Sequence, residues 1–332
     1  MYTLGKKIVF QISISLCIVL FIAAQACAIT ASELEQIIKD TQESVTTAHL
    51  VYVMDWNDNY PVAGSDDDIM VLLRKASKHR LNREDRIIDL ENKRIKGSIT
   101  DLRDLDTLLK KYNLPDEQKT NVSLSRDAVI QETYEMILSD GFVEGGPAQL
   151  ALTERPGRPP RFKSEMLSFG LIDDELLSQQ NNPTFTEINS DGKKLLRIQL
   201  TQKREDANLP TINVKIDCDP ALSYRFYRIE KSINGNIGVE TIADDYRIVN
   251  GVPYPFLYIN RHFDENGKIL REIKYVIKDA EFGLDLSAKD FKLLIPEGTV
   301  VTDTILSMRT FEIEKADYMG IDDVLSIAMK HR

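Results

Sequence analysis

Hydrophobic positions repeat with two periods along this chain, and the change from one to the other marks its organisation. Leu34, Ile37 and Ile38 form an apolar stripe at helical spacing. This predicts an N-terminal helix over 31–46, with Ser32 as its cap and Glu33 and Glu35 in the first turn. From Ala48 the period falls to two. Segments 49–56, 69–75, 79–82, 86–90 and 95–99 read as strands, with a turn at Glu91-Asn92-Lys93 before the last. The first two are apolar on both faces: Tyr52, Met54 and Trp56 against Val51 and Val53, then Ile69, Val71 and Leu73 against Met70 and Leu72. Such runs predict a sheet covered on both sides. Helical spacing returns over 101–112 and 123–138, on either side of Pro115, with Ser125 and Asp127 placed to start the second helix. The basic, proline-rich run over 155–160 then reads as a rigid connector.

The most regular alternation lies between 193 and 277. Leu196, Ile198 and Leu200 alternate with Arg197, Gln199 and Thr201, and Ile212, Val214 and Ile216 alternate with Asn213, Lys215 and Asp217. Ile269, Ile273, Tyr275 and Ile277 share one face. Asx-Gly pairs at Asp191-Gly192, Asn234-Gly235, Asn250-Gly251 and Asn266-Gly267 separate these runs, as tight hairpins require. An antiparallel meander with one dry and one wet face follows from this pattern. Phe311 and Ile313 suggest a last strand, and 321–330 a short terminal helix.

The leader changes the picture. Lys6 and Lys7 precede a nearly unbroken apolar run over 8–24, and Ala26-Cys27-Ala28 has the small-x-small form of a signal-peptidase site. Cleavage after Ala28, the expected outcome, makes 1–28 a signal peptide and places the protein in the periplasm or otherwise outside the cytoplasm. Lipidation at Cys27 and retention as a membrane anchor stand as alternatives. The predicted organisation is a curved-sheet domain over 29–305, a helical insertion over about 101–160, and a strand and helix tail over 306–332. Cleavage leaves 304 residues and takes the net charge from −10 to −12. An acidic surface repels phosphate backbones, which argues against a nucleic-acid partner. Cys218 is then the one remaining cysteine. It sits at the end of an alternating strand, where a small half-buried residue is expected.

No catalytic constellation emerges. Asp55, Asn57, Asn59 and Asp66 have oxygen-ligand spacing, but Tyr60 stands where a calcium loop needs glycine, so an acidic hairpin tip through Asp66-Asp67-Asp68 is expected. His49, His79, His262 and His331 lie far apart without metal-ligand spacing. No metal, cofactor or enzymatic role is predicted. A carboxylate pair brought together only in space would be invisible to this reading, which leaves a hydrolase of unrecognised type as the lowest-ranked alternative.

Three stretches resemble the LolA/LolB-type periplasmic lipoprotein-carrier superfamily. Arg74-Lys75-Ala76-Ser77-Lys78-His79-Arg80-Leu81 is similar to its second-to-third strand segment, with Ala76 where the family has proline. Arg86-Ile87-Ile88-Asp89-Leu90-Glu91-Asn92-Lys93 is similar to the strand-turn-strand that follows. Asp290-Phe291-Lys292-Leu293-Leu294-Ile295-Pro296-Glu297-Gly298-Thr299-Val300-Val301 is similar to the closing F-x-L-x-x-P-x-G-x-x-V. The match covers roughly residues 30 to 303, with 101–160 as an insertion. The resemblance implies an α+β fold: a strongly curved antiparallel sheet, a half-open barrel, wrapped around helices with an apolar cavity under a lid. It also implies a non-enzymatic carrier of an acyl chain or lipoprotein, or a periplasmic envelope-stress sensor that docks a membrane protein. Tyr52, Met54, Trp56, Val71, Leu73, Ile198, Ile212, Val214, Ile216, Ile273 and Tyr275 are the candidates for the cavity lining or, equally, for a core filled by the protein's own helices. Arg74 and Arg80 match the family's basic positions and are the lid or headgroup candidates.

Overall fold

The computed structural model describes residues 29–330 apart from 44, 64–67, 119–124, 132–133, 140–147, 155–169, 171, 173–182, 191, 203–209 and 306–308. The leader, most of the acidic hairpin tip, the connector over 155–160 and His331 therefore lie outside the described residues.

The first helix, α1 (Ala31–Glu43), forms where its apolar stripe predicts. Its cap is Thr30 rather than Ser32. The Glu33 backbone N–H donates to Thr30 Oγ1 at 3.2 Å, and the Glu33 carboxylate accepts from the Thr30 N–H at 2.8 Å, a reciprocal box that satisfies two donors. The chain then runs through β1 (Thr47–Asp58), β2 (His79–Asp89) and β3 (Arg94–Asp101), followed by β4 (Arg126–Gln131), β5 (Tyr134–Ser139) and β6 (Gln149–Glu154). After these come β7 (Thr184–Ser190), β8 (Lys193–Gln202), β9 (Ile212–Asp219), β10 (Arg225–Ile233), β11 (Asn236–Val249), β12 (Val252–Phe263) and β13 (Ile269–Phe282). The closing strands are β14 (Leu293–Ile295), β15 (Val300–Asp303), β16 (Arg309–Glu312) and β17 (Asp317–Met319).

Fifteen of these strands form one curved sheet in the order β16-β15-β6-β5-β4-β3-β2-β1-β13-β12-β11-β10-β9-β8-β7. All its pairs are antiparallel except β15 with β6. The return of β13 to the first strand joins two meanders at the centre, and the outer strands β16 and β7 do not pair with each other. The sheet is a half-open barrel, as the resemblance implied. The Asx-Gly turns work as expected: Asn250 (φ 48°) and Gly251 (φ 84°) are both left-handed, the geometry of a two-residue hairpin that matches strand twist.

Three expectations fail. Segment 69–75 is not a strand but the helix α2 (Ile69–Ala76). Asp68 caps it by accepting from Met70 N–H at 2.8 Å, and Arg74 and Lys75 lie in its last turn. A short apolar run reads alike for either element, and the capping carboxylate decides. The second predicted helix, over 123–138, is the hairpin β4–β5. Val129 and Met136 oppose each other across it and are both buried, and this packing outweighs the helical spacing. Ser125 accepts from the Asp101 N–H at 3.1 Å instead of capping a helix. The stretch over 101–160 is therefore no helical insertion: its one α-helix among the described residues is α3 (Leu105–Lys111), and β4, β5 and β6 extend the main sheet. Third, 79–82 and 86–90 are one strand, because Glu84 is buried between them on the inner face.

The tail closes the structure. Ile321 and Val324 of α4 (Ile321–Lys330) pack with Val129, Met136, Leu152, Phe291 and Ile295, on the side of β4–β6 away from α1. On the concave side, α1 covers one half of the sheet. Leu34 and Ile38 are buried against Ile198, Leu200, Val214, Ile216 and Phe226. Leu34→Ala is expected to cost about 3 kcal/mol, the transfer term plus a cavity, read from urea unfolding. An unchanged midpoint would mean that α1 is not seated on the sheet.

Candidate functional site

Antiparallel partners point to the same face, so the register lays out the concave side in rows. One row runs Arg80–Trp56–Ile273–Asn260–Thr241–Ile229–Ile216–Ile198–Phe185, crossing β2, β1 and then β13 to β7. The next runs Asn82–Met54–Tyr275–Tyr258–Ala243. The third contains Glu84, Tyr52 and Ile277. The opposite face carries an ion-pair ladder: Arg197–Asp217 (2.6 Å), Lys215–Glu230 (2.6 Å), Arg228–Glu240 (2.6 Å) and Arg261–Glu272 (2.6 Å). The expected dry and wet faces are thus both present in the meander.

The rows sort the sequence candidates into three places. Ile198, Ile212, Val214 and Ile216 belong to the cluster under α1, where helix side chains already fill the concavity. Val71 and Leu73 lie on the helix α2 rather than on a strand of the sheet. Val71 is buried, and Leu73 packs on Ala76, Leu109 and Leu114 in a small satellite cluster. Tyr52, Met54, Trp56, Ile273 and Tyr275 come together as one aromatic patch in the middle of the concave face. Tyr52 and Tyr275 have ring centroids 5.8 Å apart, and Tyr275 and Tyr258 6.0 Å, both tilted as aromatic quadrupoles prefer. Tyr52 is buried. Met54, Trp56, Ile273 and Tyr275 are half-buried, and Trp56 and Ile273 belong to none of the buried clusters among the described residues. Arg80 joins this patch, with its guanidinium 5.3 Å from the Trp56 ring centroid. Arg74 does not: it is exposed on the last turn of α2.

Two polar groups border the patch. At its inner end the Tyr52 hydroxyl donates to Glu84, and Arg86 Nη2 donates to the same carboxylate at 2.6 Å. Only 4% of the Glu84 side chain is exposed, against 33% of Arg86. Burial pushes the Tyr52 hydroxyl far above its ordinary range, so it stays a donor. Burial opposes the Arg86 charge, yet the Glu84 carboxylate paired with it more than offsets that cost and holds the guanidinium charged. At the outer end, Arg271 stacks on Trp56 and on Tyr60, which lies beyond the patch. It lies 4.9 Å from the Trp56 centroid and 5.2 Å from that of Tyr60, while its Nη2 meets Asp58 at 3.0 Å. Burial and Arg271 both lower the pKa of His262 opposite, so its imidazole is neutral at pH 7.

Sequence reasoning missed Arg271, Asn82, Tyr258, Glu84 and Arg86. Arg271 was within reach, since the alternation that aligns Ile269, Ile273 and Tyr275 puts it on the same face. Asn82 and Glu84 needed the β1–β2 register, which a single sequence does not supply. Elsewhere, a shallow groove of about 630 Å³ runs over the ends of β7–β11, lined by Thr184, Gln199, Asn213, Val214, Glu230 and Ile237 among others. Its walls mix both faces of the sheet, and polar groups in it bond one another, as Lys215 does Glu230 at 2.6 Å and Thr201 does Asn213 at 3.2 Å. Among the described residues no group of His, Cys, Asp or Glu could hold a metal ion. Cys218 is fully buried, and burial pushes its thiol up to about 12. A thiol raised in the folded state stabilises the fold below the ordinary thiol range, and that contribution is lost as pH rises through about 12. Native protein at pH 8 is expected to resist iodoacetamide and to label fully in urea. Rapid native labelling would contradict the burial of this strand end.

The sequence matches no known family model and no curated protein. Two crystal structures are similar to it over most of its length. A LolA superfamily protein from Nitrosomonas europaea aligns at a TM-score of 0.37 and 11% identity, over 80% of this chain and 98% of that one. A DUF1329 family protein from Desulfovibrio piger aligns at 0.39 and 11% identity, over 79% and 96% respectively. At such scores the fold class rests on this chain's own topology: an α+β half-open barrel with a helix seated in one half of its concave face and an aromatic patch in the other.

Proposed function

We propose that this is an exported, non-enzymatic binding protein that holds an acyl chain, free or carried by a lipoprotein, on the concave face of its sheet. The observation that carries this reading is the continuous half-buried strip of Trp56, Met54, Ile273 and Tyr275, beside the half that α1 fills. A surface of this kind is apolar, rigid and concave, as small-molecule sites generally are. The energetics are sufficient. Each buried methylene contributes about 0.8 kcal/mol, so a palmitoyl-length chain gains on the order of 10 kcal/mol before ordering costs are deducted. The leader supports export, and the resemblance to the lipoprotein carriers supports an acylated ligand. The experiment is displacement of a fluorescent fatty acid by palmitate from the mature chain purified without detergent. Saturable one-site binding is expected, and no binding up to the solubility limit of the probe would overturn the proposal.

A further inference from the structure

The outer end of the aromatic patch has more positive charge than its surroundings supply a use for. Arg80 and Arg271 both lie against the single tryptophan of the chain, at 5.3 and 4.9 Å from its ring centroid. Arg126 and Arg103 are near enough to Arg80 to disfavour its charge, together with Arg271 and burial. Of these four cations, Arg103 is committed to Asp101 at 2.6 Å, and Arg271 shares Asp58 through one nitrogen. Asp58 is the acid that favours the Arg80 charge. Arg126 is exposed and solvated, so among the described residues the half-buried Arg80 and Arg271 share the one carboxylate of Asp58, an incomplete compensation for charge on the dry side of the sheet.

Two buried atoms point the same way. Arg271 Nε is buried without a hydrogen-bond partner, and so is Asn82 Oδ1. Asn82 is 2% exposed and stands on the concave face, two residues along β2 from Arg80 and opposite Met54. Unsatisfied buried polar atoms are uncommon in native proteins, and their usual explanation is a missing partner. A cation with a spare N–H and an amide with an unmet acceptor, both beside half-buried apolar surface, fit a ligand with an apolar body and a charged, oxygen-rich head that still carries one O–H.

Resting on the acyl-carrier reading above, we propose that Arg80, Arg271 and Asn82, arranged around Trp56, form an anion site for the phosphate or carboxylate head of the bound amphiphile. The guanidinium groups supply charged donors, and planar Arg groups suit the paired oxygens of either anion. Asn82 Oδ1, an acceptor, completes the set by taking a hydrogen bond from a protonated oxygen of the head, such as the P–OH of a phosphate monoanion. The chain would then run from Trp56 over Ile273 and Met54 toward Tyr275.

Trp56 emission reads this site directly, because no other tryptophan contributes. The full mature chain is titrated with dodecyl phosphate, dodecanol and inorganic phosphate, each below any micelle concentration. Dodecyl phosphate is expected to bind at least about tenfold more tightly than dodecanol, the gain of one charge-assisted hydrogen bond. Arg80→Gln should lower the dodecyl phosphate affinity at least about fivefold more than the dodecanol affinity, and Arg80→Lys should restore part of that difference. A cooperative urea transition of each variant, followed by circular dichroism, shows that it is folded. Equal binding of dodecanol and dodecyl phosphate would overturn the anion site and leave the acyl-carrier reading standing. Inorganic phosphate binding as tightly as dodecyl phosphate, with no response to dodecanol, would assign the site to a free anion and overturn the carrier reading. No response to any of the three would overturn both.

Discussion

Arg86→Met should lower the stability of the folded protein by about 3 kcal/mol, the low end for a broken buried ion pair. The low end applies because a third of Arg86 is exposed, whereas Glu84 is almost fully enclosed. Without its guanidinium, Glu84 keeps only the Tyr52 hydroxyl as a donor among the contacts seen at that carboxylate. The loss therefore measures an uncompensated buried carboxylate rather than the worth of the pair itself. Combining Arg86→Met with Glu84→Gln should recover most of it, since the amide carries no charge and its oxygen still accepts from Tyr52. Urea unfolding of the two single variants and the double variant gives the coupling directly. Additive losses would mean that Glu84 and Arg86 do not act as a pair on the concave face.

Ile273→Glu has the largest expected effect on binding. Ile273 is half-buried between Trp56 on β1 and Asn260 on β12, at the centre of the open patch. A carboxylate can reach solvent there, so the fold should survive with a loss of about 1–2 kcal/mol, as is usual for such substitutions. An acyl chain lying over the same position would have to desolvate that charge, and affinity for palmitate should fall at least about a hundredfold. The matching control is Ile216→Val under α1, which trims the filled half of the sheet and should leave palmitate binding within about twofold while costing about 1 kcal/mol of stability. Equal effects of the two variants on binding would show that the ligand does not distinguish the open half from the filled one.

The alternating segments of the meander were legible because each strand there keeps one dry face, and period two leaves a single assignment. The β8, β9 and β13 cores fall where Ile198, Ile216 and Ile273 place them. The failures occur where local pattern and packing disagree. Over 126–139 helical spacing lost to a hairpin because Val129 and Met136 are buried beneath the terminal helix, contacts more than 180 residues away in sequence. Over 69–76 both faces are apolar, and only the Asp68 cap separates helix from strand. For the site, five of the predicted lining residues assemble into the patch, because β1 and β13 happen to be adjacent in the sheet although about 220 residues apart in the chain. That adjacency is a property of topology, as is the burial of Asn82 and Glu84 beside it. Ile198 and Ile216 carry the same alternation signal as Ile273, and only the seat of α1 tells a filled face from an open one.

The most direct test of the central claim is native mass spectrometry of the protein purified from its own host without detergent. A discrete added mass of a fatty acid, phospholipid or acylated peptide, absent from Ile273→Glu, is the result expected of an acyl-chain carrier. A bare polypeptide mass for both proteins, obtained under conditions that preserve a known carrier's ligand, would contradict it.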